Sequence, residues 1–430
     1  MKLSERDKKH IWHPLTQHKT YPENLAIARA KGVYLYDESG KSYIDGISSW
    51  YTCMYGHCNP EITDRVAHIM QNLDQVVFSG FTHEPAVELS EKLIALLPDN
   101  QEKLFYSDNG STSVEVGVKI SLQYHFNKGD RKQVIIAFEE GFHGDTFGAM
   151  SVSNLSVYNG PFEGMLLEVI RIPVPNGNNT EELLSVLREI CETKKVASFI
   201  YEPLVQGAAA MKMHDAESLN VILEYLHKQG VLLIADEVMT GFGKTGTAFA
   251  SDQISQKPDI ICMSKALTGG LLPMAATSCT QEVFDAFYSD DIAKGFFHGH
   301  TYTANPLSCT AALAAIELLQ TEAIQSQIRQ VIRYHEIFGE QVKRHPMVRG
   351  VRQCGVIFAL DLDLDMSRYG GLRNKMFSYF MERGVYLRPL GNTIYIQAPY
   401  VIGQEEMNTI YEVILSLLEE LPAMKMNQVE

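Results

Sequence analysis

From about residue 85 to about residue 305, short apolar runs alternate with amphipathic stretches. That alternation leaves few folds open, because strands separated by helices build a mainly parallel α/β sheet with right-handed crossovers. Strands are expected at 103–106, 133–138, 197–202, 231–236, 259–263 and 275–279. The clearest is Val231-Leu-Leu-Ile-Ala235, whose wholly apolar run fits a strand covered on both faces. Ligands of such sheets bind at the carboxyl ends of the strands. The residues that follow each run are therefore the first candidates for function.

The chain has 430 residues, too many for one ordinary compact core. Residues 1–55 read as an N-terminal β-unit. Gly32-Val-Tyr-Leu-Tyr36 alternates, Asp37-Glu-Ser-Gly40 turns, and Ser42-Tyr-Ile-Asp45 returns. Residues 56–305 form the expected large, ligand-binding domain. Residues 306–430 form a smaller α+β domain, helical to about 345 and then with strands at 355–360, 385–388 and 394–397. The N-terminal unit is expected to pack with this smaller domain.

A formal net charge of −15 argues against nucleic acid or an anionic membrane as partner, since both attract basic surfaces. No run of about 18 apolar residues could span a bilayer, and the first residues carry no apolar core of signal-peptide length. The seven cysteines show no disulfide-framework spacing. These features together predict a cytoplasmic protein.

Asp236 closes the most apolar run. A carboxylate there either opens the next loop or meets a buried cation, such as the protonated ring nitrogen of a cofactor. Lys265 stands 265 − 236 = 29 residues later, between the apolar run Ile260-Ile-Cys-Met263 and a Gly-Gly turn. It is either a solvated surface amine or a buried one, kept neutral enough to attack an aldehyde. Asn109-Gly110-Ser111-Thr112-Ser113 lies at a strand-to-helix turn that could cradle a phosphate or simply cap the helix. Phe142, after the 133–138 run, could stack on a cofactor ring or fill core. Two motifs are set aside. Gly241-Phe-Gly-Lys-Thr245 resembles a P-loop but has Val238 where that loop needs glycine. Cys53, His57 and Cys58 lack a second ligand pair at structural-zinc spacing, so no metal is expected.

Asp236-Glu-Val-Met-Thr-Gly-Phe-Gly-Lys-Thr-Gly246, followed by Ser264-Lys265-Ala-Leu-Thr-Gly-Gly270, resembles the signature of class III pyridoxal-phosphate aminotransferases. Asn109-Gly-Ser111, Phe142-His-Gly-Asp145, Glu202-Pro-Leu-Val-Gln-Gly207 and His298-Gly-His-Thr-Tyr-Thr-Ala-Asn-Pro306 fall in the family's order, so the resemblance spans nearly the whole chain. It implies the aspartate aminotransferase-like fold and pyridoxal 5'-phosphate, held by Lys265 as a Schiff base. By the same resemblance Asp236 pairs with the pyridinium, and Val238 and Phe142 take opposite faces of the ring. Gly110 and Ser111 hold the phosphate. Thr301 reaches it from a neighbouring subunit, which implies a homodimer with shared sites. Trp50, Tyr51, Phe142, Asp145, Gly299 and Arg388 line the substrate pocket, Arg388 as the clamp for a carboxylate.

Within the class, His10-Ile-Trp-His-Pro14, Asp45-Gly-Ile-Ser-Ser-Trp-Tyr51, Gly141-Phe-His-Gly-Asp-Thr-Phe-Gly-Ala-Met-Ser151 and Arg388-Pro-Leu-Gly391 are similar to the biotin-synthesis branch. That similarity implies 8-amino-7-oxononanoate as acceptor and S-adenosylmethionine as donor. Four departures bear on the donor: Phe142 and Leu15 stand where tyrosines are common, Tyr51 where a second Trp is, and Lys244 where an Arg is. By the resemblance all four lie near the substrate end. The alternatives are the same reaction with lysine as donor, another class III transaminase for an ω-amino acid, ornithine or lysine, an aminomutase on the same frame, and a nucleotide-binding module at Gly241–Thr245.

Overall fold

The computed structural model describes residues 2–21, 23–154, 159–366 and 370–426. Among them, a seven-stranded sheet runs in the order Gln101–Ser107, Ala275–Thr280, Ile260–Met263, Leu232–Asp236, Val196–Tyr201, Val134–Phe138 and Val169–Ile172. Ala275–Thr280 is antiparallel to both neighbours, and the other pairings are parallel. The fold is α/β with a mainly parallel central sheet. Leu232–Asp236 lies inside the sheet and is buried along its whole length, as its uniformly apolar run requires.

The helix Gly110–Asn127 packs on this sheet. Asn109 caps it, its side chain accepting the Thr112 N–H at 3.0 Å. Gly117 sets how close the helix lies, because a Cβ there would come within 3.0 Å of Cys262 Sγ on Ile260–Met263.

In the N-terminal unit Ile27–Lys31, Tyr34–Asp37 and Ser42–Asp45 pair antiparallel. Ser42–Asp45 also pairs in parallel with Val385–Tyr386, so a C-terminal strand completes this four-stranded sheet. The parallel pairing brings the residues after Asp45 and those after Tyr386 to one edge. A three-stranded antiparallel sheet holds Val348–Cys354, Ile357–Leu362 and Thr393–Ile396. Strands read from sequence at 355–360 and 394–397 are displaced by one or two residues, and 385–388 shortens to Val385–Tyr386. The helices Pro306–Gln320 and Glu322–Val342 account for the helical stretch after 305. No single helix among the described residues is long and apolar enough to cross a membrane.

Candidate active site

Four of the parallel strands end side by side and deliver a cluster of ionisable groups. Leu232–Asp236 ends in Asp236, which is 4% exposed. Asp236 Oδ2 lies 2.7 Å from His143 Nδ1, and Oδ1 accepts the Val238 N–H at 3.1 Å. His143 sits on the loop after Val134–Phe138. Burial lowers its pKa, but the Asp236 hydrogen bond and charge outweigh burial, and the net shift is upward. Glu202 follows Val196–Tyr201. Its oxygens accept the Phe142 N–H at 3.0 Å and the Gly207 N–H at 2.9 Å. Burial pushes its pKa up to about 7, against the pull of the nearby His143.

Lys265 enters from the adjacent strand. Asp236 is in register with Cys262 on Ile260–Met263, and the chain turns sharply just beyond. Ser264 Oγ donates to the Met274 carbonyl at 2.8 Å, and Lys265 takes a left-handed φ of 51°. Burial lowers the pKa of its amine, while Asp236 and Glu202 partly restore it. The result is a buried amine with more neutral character than a surface lysine, facing two carboxylates, the state that nucleophilic attack on an aldehyde requires.

The helix N-terminus at Gly110 closes a third side. A Cβ on Gly110 would lie 2.7 Å from Val238 Cγ1, so any larger residue would force Val238 to shift. The loop carrying Phe142 packs directly on this turn. Ser111 Oγ accepts the Thr146 N–H at 3.0 Å and lies 2.8 Å from Thr146 Oγ1, and a Cβ on Gly144 would overlap Ser111 Oγ. Gly110, Ser111, Phe142, Val238, Asp236 and Lys265 thus meet at one edge of the sheet. Pyridoxal phosphate fits this set: a carboxylate for its ring nitrogen, an amine for its aldehyde, and free N–H groups at a helix N-terminus for its phosphate.

The N-terminal sheet supplies a further wall. Ser48, Ser49, Trp50 and Tyr51 have φ of 48°, 47°, 66° and 72°, a left-handed turn without glycine. Left-handed backbone costs an L-residue roughly 1–2 kcal/mol, so the turn needs external ties. It brings the Tyr51 ring to 4.9 Å from Lys265 Nζ and the Trp50 ring to 5.0 Å from the Arg388 guanidinium. Tyr395 stands behind, its ring 5.9 Å from that of Tyr51. At the foot of the turn Asp45 and His57 pair at 2.9 Å. Burial lowers His57, but the hydrogen bonds to Asp45 and Cys53 outweigh it and push the pKa up to about 10.

Asp145, Gly299 and Thr301 are exposed in the single chain. Lys244 is fully buried rather than lining an open end. The turn Gly241–Gly246 folds over it, its amine donates to the Gly241 carbonyl at 2.9 Å, and burial drives its pKa far down. This turn is closed around its own lysine and offers no open phosphate cradle. Leu15 is 66% exposed. Sequence assigns no site role to Glu202, Asp45 or Tyr395, and weighs His57 only as a zinc ligand. For Glu202 the signal was present, since an acid ends its apolar run just as Asp236 ends its own.

The profile of the aminotransferase class-III family matches residues 16–418. The chain belongs to this family. Among curated class III relatives, adenosylmethionine-8-amino-7-oxononanoate aminotransferase of Synechococcus elongatus is 41% identical, over 96% of this chain and 99% of its own length. The enzyme of the same name from Geobacter sulfurreducens is 37% identical, over 95% and 96%. Among solved structures, adenosylmethionine-8-amino-7-oxononanoate aminotransferase from Methanocaldococcus jannaschii superposes with a TM-score of 0.91 at 33% identity, covering 96% of this chain and 98% of that one. A pyridoxal-phosphate-bound amine transaminase from an uncultivated Pseudomonas species gives 0.89 at 27% identity, with 96% and 98% covered.

Proposed function

We propose that this class III aminotransferase moves an amino group onto 8-amino-7-oxononanoate, giving 7,8-diaminononanoate for biotin synthesis, with S-adenosylmethionine as donor. The observation that carries the reading is the Lys265 amine buried beside Asp236 at adjacent strand ends, with Arg388 and Trp50 on the outer wall. The names of the relatives supply the substrate. Pyridoxal phosphate, when bound, supplies the electron sink that lets an amine leave one carbon skeleton and join another. Asp236 keeps a proton on the ring nitrogen. Gly110 and Ser111 hold the phosphate at the helix N-terminus, and Val238 and Phe142 hold the ring. Lys265 would hold the aldehyde carbon, and its amine would hold and move a proton at the reacting carbon. Arg388 takes the keto acid's carboxylate in its planar fork.

Mass spectrometry of reactions with the keto acid and a panel of donors tests this. Diaminononanoate should form with S-adenosylmethionine. Product with lysine alone would move the donor assignment to lysine, and no product with any donor would remove the biotin reading.

The working form is taken to be a homodimer in the cytoplasm, where seven free cysteines stay reduced. Ile292, Phe297 and Tyr302 are 79%, 76% and 63% exposed on the segment that carries Gly299 and Thr301. Large apolar side chains grouped in this way mark a face covered by a partner. In that arrangement Thr301 reaches the partner's cofactor. Sedimentation velocity should give twice the chain's mass of 48.3 kDa, and a monomer at micromolar concentration would contradict it.

A further inference from the structure

We propose that Asp45 and His57 are positioning residues for the substrate carboxylate: they lock the left-handed turn that sets Trp50 against Arg388. The inference rests on the reading of Arg388 as the carboxylate clamp.

Asp45 is fully buried at the end of Ser42–Asp45. Its Oδ1 accepts the Ile47 N–H at 3.3 Å. Its Oδ2 accepts the Ser49 hydroxyl at 2.8 Å and lies 2.9 Å from His57 Nε2. One carboxylate therefore ties the entry of the turn, its second residue and a side chain beyond its exit. His57 is itself anchored, because its backbone exchanges two hydrogen bonds with Gly32, at 3.0 and 2.7 Å. A second tie runs from Ser48 Oγ to the Gln397 carbonyl at 2.7 Å.

Burial does not hold Trp50, which is 40% exposed. Its place over Arg388 follows from the backbone that Asp45 and His57 fix. A Trp face within about 6 Å attracts a guanidinium, so the turn pre-sets the cation before substrate arrives. Small displacements of a positioned group cost rate and affinity out of proportion to their size.

The test compares Michaelis constants for the keto acid and for its methyl ester, which lacks the charge. His57→Ala should raise KM for the acid about 10-fold and leave the ester within about 2-fold. His57→Gln, whose amide can still donate to Asp45, should return the acid KM to within about 3-fold of the parent. Ser49→Ala removes one tie at a half-buried site, should raise the acid KM about 3-fold, and decides the matter if His57→Ala does not fold. Arg388→Ala runs alongside and should raise the acid KM about 100-fold. If Arg388→Ala leaves it unchanged, the clamp reading fails and this inference with it. If Arg388→Ala raises it but neither His57→Ala nor Ser49→Ala does, the positioning role alone is wrong. Equal losses for acid and ester would also overturn it, since they would mark a purely structural pair.

Discussion

Lys265→Ala is expected to lower turnover by at least about 10⁴-fold while the protein stays folded, because the variant lacks both the cofactor's covalent anchor and the group that moves the proton. The half-buried side chain follows a buried strand, and burial works against the charge of its amine. Folding stability should therefore not suffer. An unfolded lysine is charged at neutral pH, and placing that charge in the native site opposes folding, a cost that alanine does not carry. Without added cofactor, the melting temperature of Lys265→Ala should equal or exceed that of the parent at pH 7. A large drop would mean that the amine holds the structure together through Asp236 and Glu202 instead of standing ready for chemistry.

Asp236→Asn is expected to bind cofactor and keep the fold, yet slow proton abstraction on the order of 10³-fold. The amide has the carboxylate's shape and can still accept the Val238 N–H, so local structure survives. The charge does not. The hydrogen bond and charge of Asp236, with the charge of Glu202, raise His143 against burial, so in the variant that upward pull on the ring weakens. Single-turnover kinetics with substrate deuterated at the reacting carbon would separate proton abstraction from binding. A near-normal rate would remove Asp236 from the role of ring-nitrogen partner.

Much of this site could be read from residue order. Asp236 and Lys265 both follow apolar runs, and in a parallel sheet the residues after such runs converge on one edge. The same logic applied to Glu202 would have found it. What stayed hidden has physical reasons. Val169–Ile172 forms a sheet edge and is mostly half-buried, so Val-Ile-Arg-Ile shows no sustained apolar run. Val348–Cys354 carries two arginines and a glycine on a partly exposed strand, with little to distinguish it from a loop. The left-handed turn is harder still. Ser48-Ser-Trp-Tyr51 has no Gly, Asn or Asp to flag positive φ, because its ties come from Asp45, His57 and the Gln397 carbonyl, the last 349 residues away. The placement of Lys244 follows from how a glycine-rich turn closes, which spacing alone does not determine.

The most direct measurement is where the cofactor attaches. Purified protein loaded with pyridoxal phosphate, reduced with borohydride, digested and sequenced by mass spectrometry should carry the phosphopyridoxyl group on the peptide containing Lys265. Lys244 is the informative control, since it too is buried with a pKa driven down. Labelling confined to Lys265 is the expected result. Labelling at Lys244 or at surface lysines, with Lys265 unmodified, would contradict the assignment on which the proposed chemistry rests.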